Sequence, residues 1–245
     1  MGKKTDVKLI DMHTHILPGV DDGASDLQKA VELCRLAWEN GTRSIILTPH
    51  HRGNYKEPPA VLQAAYTALK QAVQKELPRL SLHLGCEICF QNHISQKIND
   101  RQVLPLCDSR YVLLEFSPTA FPVLIKTGII ESLSAGKVPI IAHAERYDAF
   151  RVDRFLAEDA IKMGALIQLN ADSVLGKRGL GTKRFCHKLL KAEMVHFIAS
   201  DAHDRKRRPP VLLSCYNRIC KKYGEKYAKR LFWRNPRAII ENAKV

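Results

Sequence analysis

The stretch LIDMHTHILPGVDDGA, residues 9–24, decides how the rest of the chain is read. A short apolar run ends in His-x-His, a Pro-Gly turn follows, and two adjacent acids close the segment. In a strand the side chains alternate, so His13 and His15 share one face. A lone histidine after a strand is ordinarily a capping or surface residue. The question is whether other strand ends do the same thing.

They do. Candidate strands lie at 8–13, 44–48, 81–86, 111–115, 138–143, 165–169 and 195–200. Candidate helices lie between them at 25–39, 59–77, 123–135, 151–163, 182–193 and 210–222. Ser25 can cap the first helix and Gly41 stands just past its end. Gly136 and Gly164 occupy positions that suit helix-terminating glycines. Strands alternating with helices predict parallel βα units. Seven such units predict a closed or nearly closed barrel, with an open doubly wound sheet as the alternative. The strand ends then read His13 and His15, Thr48-Pro49-His50, Glu87, Glu115, His143, Asn170, and Asp201-Ala202-His203. In a βα barrel that end is where active sites are built. The strand period agrees: Tyr111, Leu113 and Glu115 share a face, as do Pro139, Ile141 and His143.

The totals bound the rest. The 245 residues, 45% hydrophobic and 26% charged, suit one domain over 1–245. No apolar run approaches the roughly 20 residues that span a bilayer. The first residues lack a signal-peptide core, and Asp6 stands where a myristoylation signal has Ser or Thr. A cytoplasmic protein is expected. Seven cysteines, an odd number in a chain this long, predict free thiols rather than a disulfide framework. Cys86 and Cys89 form C-x-x-C, but no second pair completes a zinc site. The net charge is +14, with basic clusters at 203–210 and 220–234. Such runs are usually solvated surface; nucleic acid or an acidic or phosphorylated partner are the sharper readings.

Imidazoles mixed with carboxylates suit Zn, Mn or Fe better than Ca or Mg. Five histidines and several acids exceed what one ion needs, so two or three ions are implied. Clustered ions suit phosphate ester hydrolysis. Arg146, after His143, and Arg205, Arg207 and Arg208, after His203, are placed to bind phosphate oxygens. Other phosphate chemistries fail on the sequence. No cysteine is followed six positions on by arginine, and G-x-S-x-G and H-E-x-x-H are absent. GKRGLGTK, 176–183, approaches a P-loop but has Thr-Lys where Lys-Ser/Thr is required.

At this point the ordered motifs DMHTH, TPHH, GCE, LLEF, AHAER and SDAH resemble the polymerase and histidinol phosphatase (PHP) superfamily. The finer pattern HILPGVDDGA, TPHH, AHAERY and SDAH…RPP is similar to its bacterial protein-tyrosine phosphatase branch, encoded with capsule and exopolysaccharide synthesis functions. The match runs from about residue 8 to 210. The resemblance implies a distorted seven-stranded (β/α) TIM-like barrel with three metal sites, commonly manganese, with Fe, Zn, Co or Mg as alternatives. It implies that His13, His15, Glu87 and Asp201 hold one ion and that Glu87 bridges to a second held by Glu115 and His143. His50 and His203 would hold the third with an acid of the Asp21-Asp22 pair; spacing from His13 favours Asp22. Arg146 and Arg208 match the phosphate-binding arginines. Hydroxide on the metals, not a cysteine, would attack phosphorus. The implied substrate is phosphotyrosine on the tail of a membrane-associated bacterial tyrosine autokinase. His51, His83, His93, His187 and His196 match no ligand position. A small-molecule phosphatase acting on an ester such as histidinol phosphate shares barrel and metals. A nucleic-acid-binding module rests on charge alone and has no recognised motif. Association of protomers stays open.

Overall fold

Among the described residues there are nine strands, most of them short apolar runs bounded by Pro, Gly and Asp. They are β1 (Leu9–Thr14), β2 (Thr42–Leu47), β3 (His50–His51), β4 (Ser81–Leu84), β5 (Glu87–Cys89), β6 (Tyr111–Glu115), β7 (Val138–Ile141), β8 (Leu166–Asn170) and β9 (Phe197–Ala199). The computed structural model describes residues 8–91, 93–153 and 155–245. The readings of the first seven residues fall outside these. Helices α1 (Leu27–Glu39), α2 (Pro59–Glu76), α3 (Ile94–Asn99) and α4 (Pro122–Ser134) alternate with the first six strands. Then come α5 (Asp148–Val152), α6 (Leu156–Lys162), α7 (Ala171–Leu175) and α8 (Leu180–Lys191). After β9 the chain forms α9 (Leu213–Tyr223), α10 (Glu225–Lys229), a π-helical turn Arg230–Arg234 and α11 (Asn235–Ile240).

Every strand pairing is parallel. The orders are β1-β2-β4 and β3-β5-β6-β7-β8-β9. The two ladders are joined where β2 runs on to β3 and β4 runs on to β5. Gly85 N–H donates to Leu47 O at 2.9 Å and Glu87 N–H to Pro49 O at 3.0 Å. Pro49 has no N–H to give the ladder, which interrupts the strand there. Gly85 lets another segment approach; a Cβ there would lie 2.8 Å from the Leu106 side chain. At the far edge Thr14 bridges Ala202, His15 N–H donates to Ala202 O at 2.7 Å, and Asp201 N–H donates to His13 O at 3.0 Å. The parallel sheet is curled so that its first and last strands meet.

Met12, Ile46, Leu113, Ile140, Ala142, Phe197 and Ala199 fill the space inside the curl. Ile239 of α11 joins this cluster from the N-terminal ends of the strands. There Tyr111 Oη donates to Ala243 O at 2.7 Å and Asn235 Nδ2 to His196 O at 2.8 Å. The C-terminal segment therefore closes one mouth and leaves the other for chemistry. Outside, helices bury one stripe each. In α1 the buried residues are Ala30, Val31, Leu33, Cys34 and Ala37, the i, i+3, i+4, i+7 spacing of an amphipathic helix.

Several boundaries differ from expectation. The second and third expected strands are each followed, after a two-residue break, by a further short strand, so Glu87 begins β5 rather than ending a strand. The fifth stops at Ile141, and the seventh shrinks to three residues. The expected helix 151–163 is broken into α5 and α6. Asp26, not Ser25, caps α1: its Oδ1 accepts from Lys29 N–H at 2.9 Å, while Ser25 Oγ donates to Asp26. The carboxylate is the stronger acceptor for an orphan amide. Gly136 and Gly164 do follow their helices with φ of 70° and 103°.

Candidate metal centre

The C-terminal ends of the strands converge on a buried polar cluster. β1 carries His13 and, one residue past its end, His15. β3 opens with His50, β5 opens with Glu87 and β6 ends on Glu115. His143 stands two residues beyond β7 in a left-handed conformation, φ 32° and ψ 53°, so a turn rather than the strand period aims it inward. Asp201 also has positive φ, 55°, directly after β9's short exit. Asp22 comes from the loop after β1 and His203 from the loop after β9.

The ligand atoms face one another. Three groups bring their donor atoms within 4.8 Å: His15, Asp22, His50 and His203; His13, His15 and Glu87; and His50, Glu87 and Glu115. Glu87 is central. Its Oε1 lies 2.8 Å from His143 Nε2 and 3.3 Å from His13 Nε2, and its Oε2 lies 2.8 Å from His50 Nδ1 and 3.3 Å from His15 Nε2. Asp201 Oδ1 lies 3.7 Å from His13 Nε2 and 3.4 Å from His15 Nε2. Asp22 Oδ1 lies 3.4 Å from His50 Nε2 and 3.3 Å from His203 Nε2. None of the three groups includes His51, His83, His93, His187 or His196.

Hydrogen bonds behind the imidazoles fix their tautomers. His13 Nδ1 donates to Gln168 Oε1 at 3.2 Å, and His15 Nδ1 donates to Asp21 Oδ2 at 2.7 Å. His203 Nδ1 donates to the Asp201 carbonyl at 2.9 Å. Each leaves its Nε2 lone pair for the centre. The Nε2 atoms of His13 and His15 then face each other at 3.2 Å beside the Glu87 carboxylate. Lone pairs so placed repel unless a cation lies among them. The buried atoms His50 Nδ1, Glu87 Oε2 and His203 Nε2 lie close to polar neighbours, the first two 2.8 Å apart, yet none makes a well-aligned hydrogen bond, which fits metal ligation. The donor set is nitrogen and oxygen, suited to Mn, Fe or Zn.

Charge tells the same story. Burial opposes protonation of His13 and His15, yet Glu87 and Asp201 around the first and Asp21 beside the second push both upward. Burial, then the Glu87 charge, raises Glu115 to about 7. Without metal, protons gather at an electron-rich site. Burial, with Arg146 next, lowers His143 to about 4; burial also lowers His50 and His203. Those three stand neutral, as ligation requires.

The two acids of the opening stretch separate. Asp21 spends Oδ2 on His15 Nδ1 and on the His50 N–H at 3.0 Å, and Oδ1 on the Gly23 N–H at 3.0 Å. Asp22 is freer and faces His50 and His203. Arg146 Nη2 donates to Asp201 Oδ2 at 2.5 Å, and Arg208 lies 3.9 Å from both Asp22 Oδ2 and Asp201 Oδ1. Both arginines line a cleft over the centre of about 970 Å³. Three residues escape a sequence reading. Gln168 also accepts the His143 N–H at 2.7 Å, through Oε1, and donates through Nε2 to Asn170 Oδ1 at 2.8 Å. Its signal is the two-residue spacing from Asn170, which itself donates to Asp201 at 2.9 Å. Arg52 lies two residues past His50, and its Nη1 donates to both oxygens of Glu115. Tyr147 Oη meets His143 Nδ1 at 3.3 Å.

The CpsB/CapC family of capsular polysaccharide synthesis matches residues 9–241. The chain belongs to that family. It is 34% identical over 238 residues to tyrosine-protein phosphatase CpsB of Streptococcus pneumoniae, covering 95% of this chain and 98% of that one. It is 38% identical over 204 residues to tyrosine-protein phosphatase YwqE of Bacillus subtilis, covering 82% and 79%. A crystal structure from the pair YwqE of Bacillus subtilis and CpsB of Streptococcus pneumoniae, described as unique metal-dependent tyrosine phosphatases, superposes with a TM-score of 0.91. It has 33% identity and covers 97% of this chain and 96% of that one. A histidinol phosphate phosphatase from Lactococcus lactis, 15% identical with a TM-score of 0.60, shares the fold.

Proposed function

We infer that this chain is a metal-dependent protein-tyrosine phosphatase of capsular polysaccharide synthesis. One observation carries the reading: seven candidate ligands in three groups, with His143 and Asp201 against them and two arginines in the cleft, converge in a chain similar along nearly its whole length to named tyrosine phosphatases. His13, His15, Glu87 and Asp201 would hold one ion, Glu87, Glu115 and His143 a second, and Asp22, His50 and His203 a third. Their proximities also bring His15 to the third group and His50 to the second. When bound, the ions lower the pKa of water and neutralise charge on the phosphate.

The chain's own residues do the rest. Arg146 and Arg208 bind the remaining phosphate oxygens, and the Asp201 contact orients Arg146 before substrate arrives. Gln168 and Asp21 hold the imidazoles in one tautomer. No thiol is poised as nucleophile: burial pushes Cys34, Cys86 and Cys107 up to about 12.

Finer points follow as part of this reading. The two ladders count as one distorted seven-stranded barrel, with β2–β3 and β4–β5 each an interrupted strand and the Thr14–Ala202 bridge as closure. Residues 1–245 form one phosphatase domain in the cytoplasm, where free thiols persist. Manganese is the native metal, and the substrate is a phosphotyrosine tail of a membrane-associated bacterial tyrosine kinase. To test it, chelator-stripped protein reloaded with Mn is offered a phosphotyrosine peptide and histidinol phosphate side by side. We expect Mn-dependent turnover that favours the peptide. Preference for the small ester would move the function to small-molecule metabolism.

A further inference from the structure

Three arginines in the cleft wall are not used by the metal centre. Arg151 of α5, Arg178 in the loop between α7 and α8, and Arg207 in the loop after β9 line the same cavity as Asp22, Arg146 and Arg208. All three are exposed. Other arginines outside the cavity find carboxylates: Arg205 reaches Glu32 at 3.1 Å and Arg52 reaches Glu115 at 3.1 Å. Among the described residues no acid comes within 4.0 Å of the guanidinium groups of these three. The cavity's other carboxylates form no ion pair with these three. Glu145 is fully buried with Oε1 on the Asn170 N–H, and Asp204 Oδ1 accepts the N–H groups of Lys206 and Arg207.

The glycine-bounded segment GKRGLGTK, 176–183, supplies one wall. It delivers Arg178 and then opens α8, whose first turn holds no acid and whose cap, Gly179, offers no side chain. Arg151 Nη2 comes within 3.4 Å of where a Cβ on Gly181 would sit. A cation is thus lodged against the positive end of a helix, the reverse of the usual arrangement. Thr182, in that same turn, lines the cleft. Like charges gathered without a counter-charge cost free energy, and an anion among them removes the cost.

We propose that Arg151, Arg178, Arg207 and Thr182 form a second anion subsite, which binds an acidic group on the substrate peptide beside the phosphotyrosine. The proposal rests on the phosphatase reading and deepens it. The acidic group is either a carboxylate or a second phosphotyrosine, since a guanidinium fork fits both.

Three peptides separate the possibilities on the Mn-loaded enzyme: one phosphotyrosine with neutral flanks, the same with flanking Glu, and one with a second phosphotyrosine. We expect at least one anionic peptide to exceed the neutral one by about tenfold in kcat/KM, mostly through KM. Preference for the Glu peptide identifies a general anion subsite; preference for the doubly phosphorylated peptide alone identifies phosphate. In Arg151→Gln/Arg178→Gln/Arg207→Gln the ratio should fall to about twofold or less, and raised salt should shrink the wild-type ratio. These are exposed side chains, and circular dichroism checks that the variant folds. Equal turnover of all three peptides overturns the subsite while leaving the phosphatase reading intact. A preference that survives the triple substitution also overturns it. Turnover of no peptide overturns both.

Discussion

Gln168 shows how much of the candidate site is set by residues outside the three donor groups. One amide accepts from His13 Nδ1 and the His143 N–H and steers Asn170. We expect Gln168→Ala to weaken metal affinity by about 10–100-fold, measured by chelator competition; unchanged affinity would remove its positioning role. At Arg146 the expected loss is in turnover. Arg146→Ala should lower kcat/KM on a phosphotyrosine peptide by about 100-fold or more while metal content stays near wild type. The candidate ligands were legible in the sequence because His-x-His and the strand-end acids recur, and the structure brings them together. The division of labour between Asp21 and Asp22 was not, because it depends on which backbone amides reach each carboxylate. Gln168 was hidden because an amide inside an apolar strand carries no chemical signature of its own.

Elements deliver these side chains, and their joints are where expectation and structure part. A straight strand 138–143 would place His143 by alternation; instead the strand ends at Ile141 and a left-handed residue turns the ring inward. Local pattern cannot reveal such a joint, since tertiary hydrogen bonds hold it. Gly23 is another joint. A Cβ there would fall 1.8 Å from His15 O, so the Asp21-Asp22 loop must move to admit one. Gly23→Ala should cost about 1–3 kcal/mol and weaken metal binding, read by thermal unfolding and chelator competition. The β8–β9 joint carries a pH dependence. His196 Nδ1 accepts the Ile167 N–H at 3.1 Å, and burial, then Arg230, lowers His196 to about 4. The folded state therefore resists a proton that the unfolded chain takes up near 6.5. Stability is full above that value and is lost as pH falls from about 6.5 towards 4, by up to roughly 3 kcal/mol. His196→Gln should flatten that part of the urea-midpoint profile; an unchanged slope would contradict it.

For the whole molecule, the alternation of strands and helices pointed to a parallel, closed or nearly closed barrel, yet the break of two strands and the place of the closing contact, Thr14–Ala202, did not follow from periodicity. Where the edges meet depends on how far the sheet curls, which no local run encodes. The C-terminal elements past residue 222 also carried no expectation, although Ile239 packs inside the curl. Their mixed basic composition hid the apolar residues that seal that mouth. One end is closed by packing and the other is lined with candidate metal ligands. The most direct test is turnover of a phosphotyrosine peptide by chelator-stripped protein as Mn is added back in measured equivalents. The account predicts negligible turnover without metal and a rise that levels at about three ions per chain, as for a clustered-metal hydrolase. Full turnover by the stripped protein, or none at any metal loading, would contradict it.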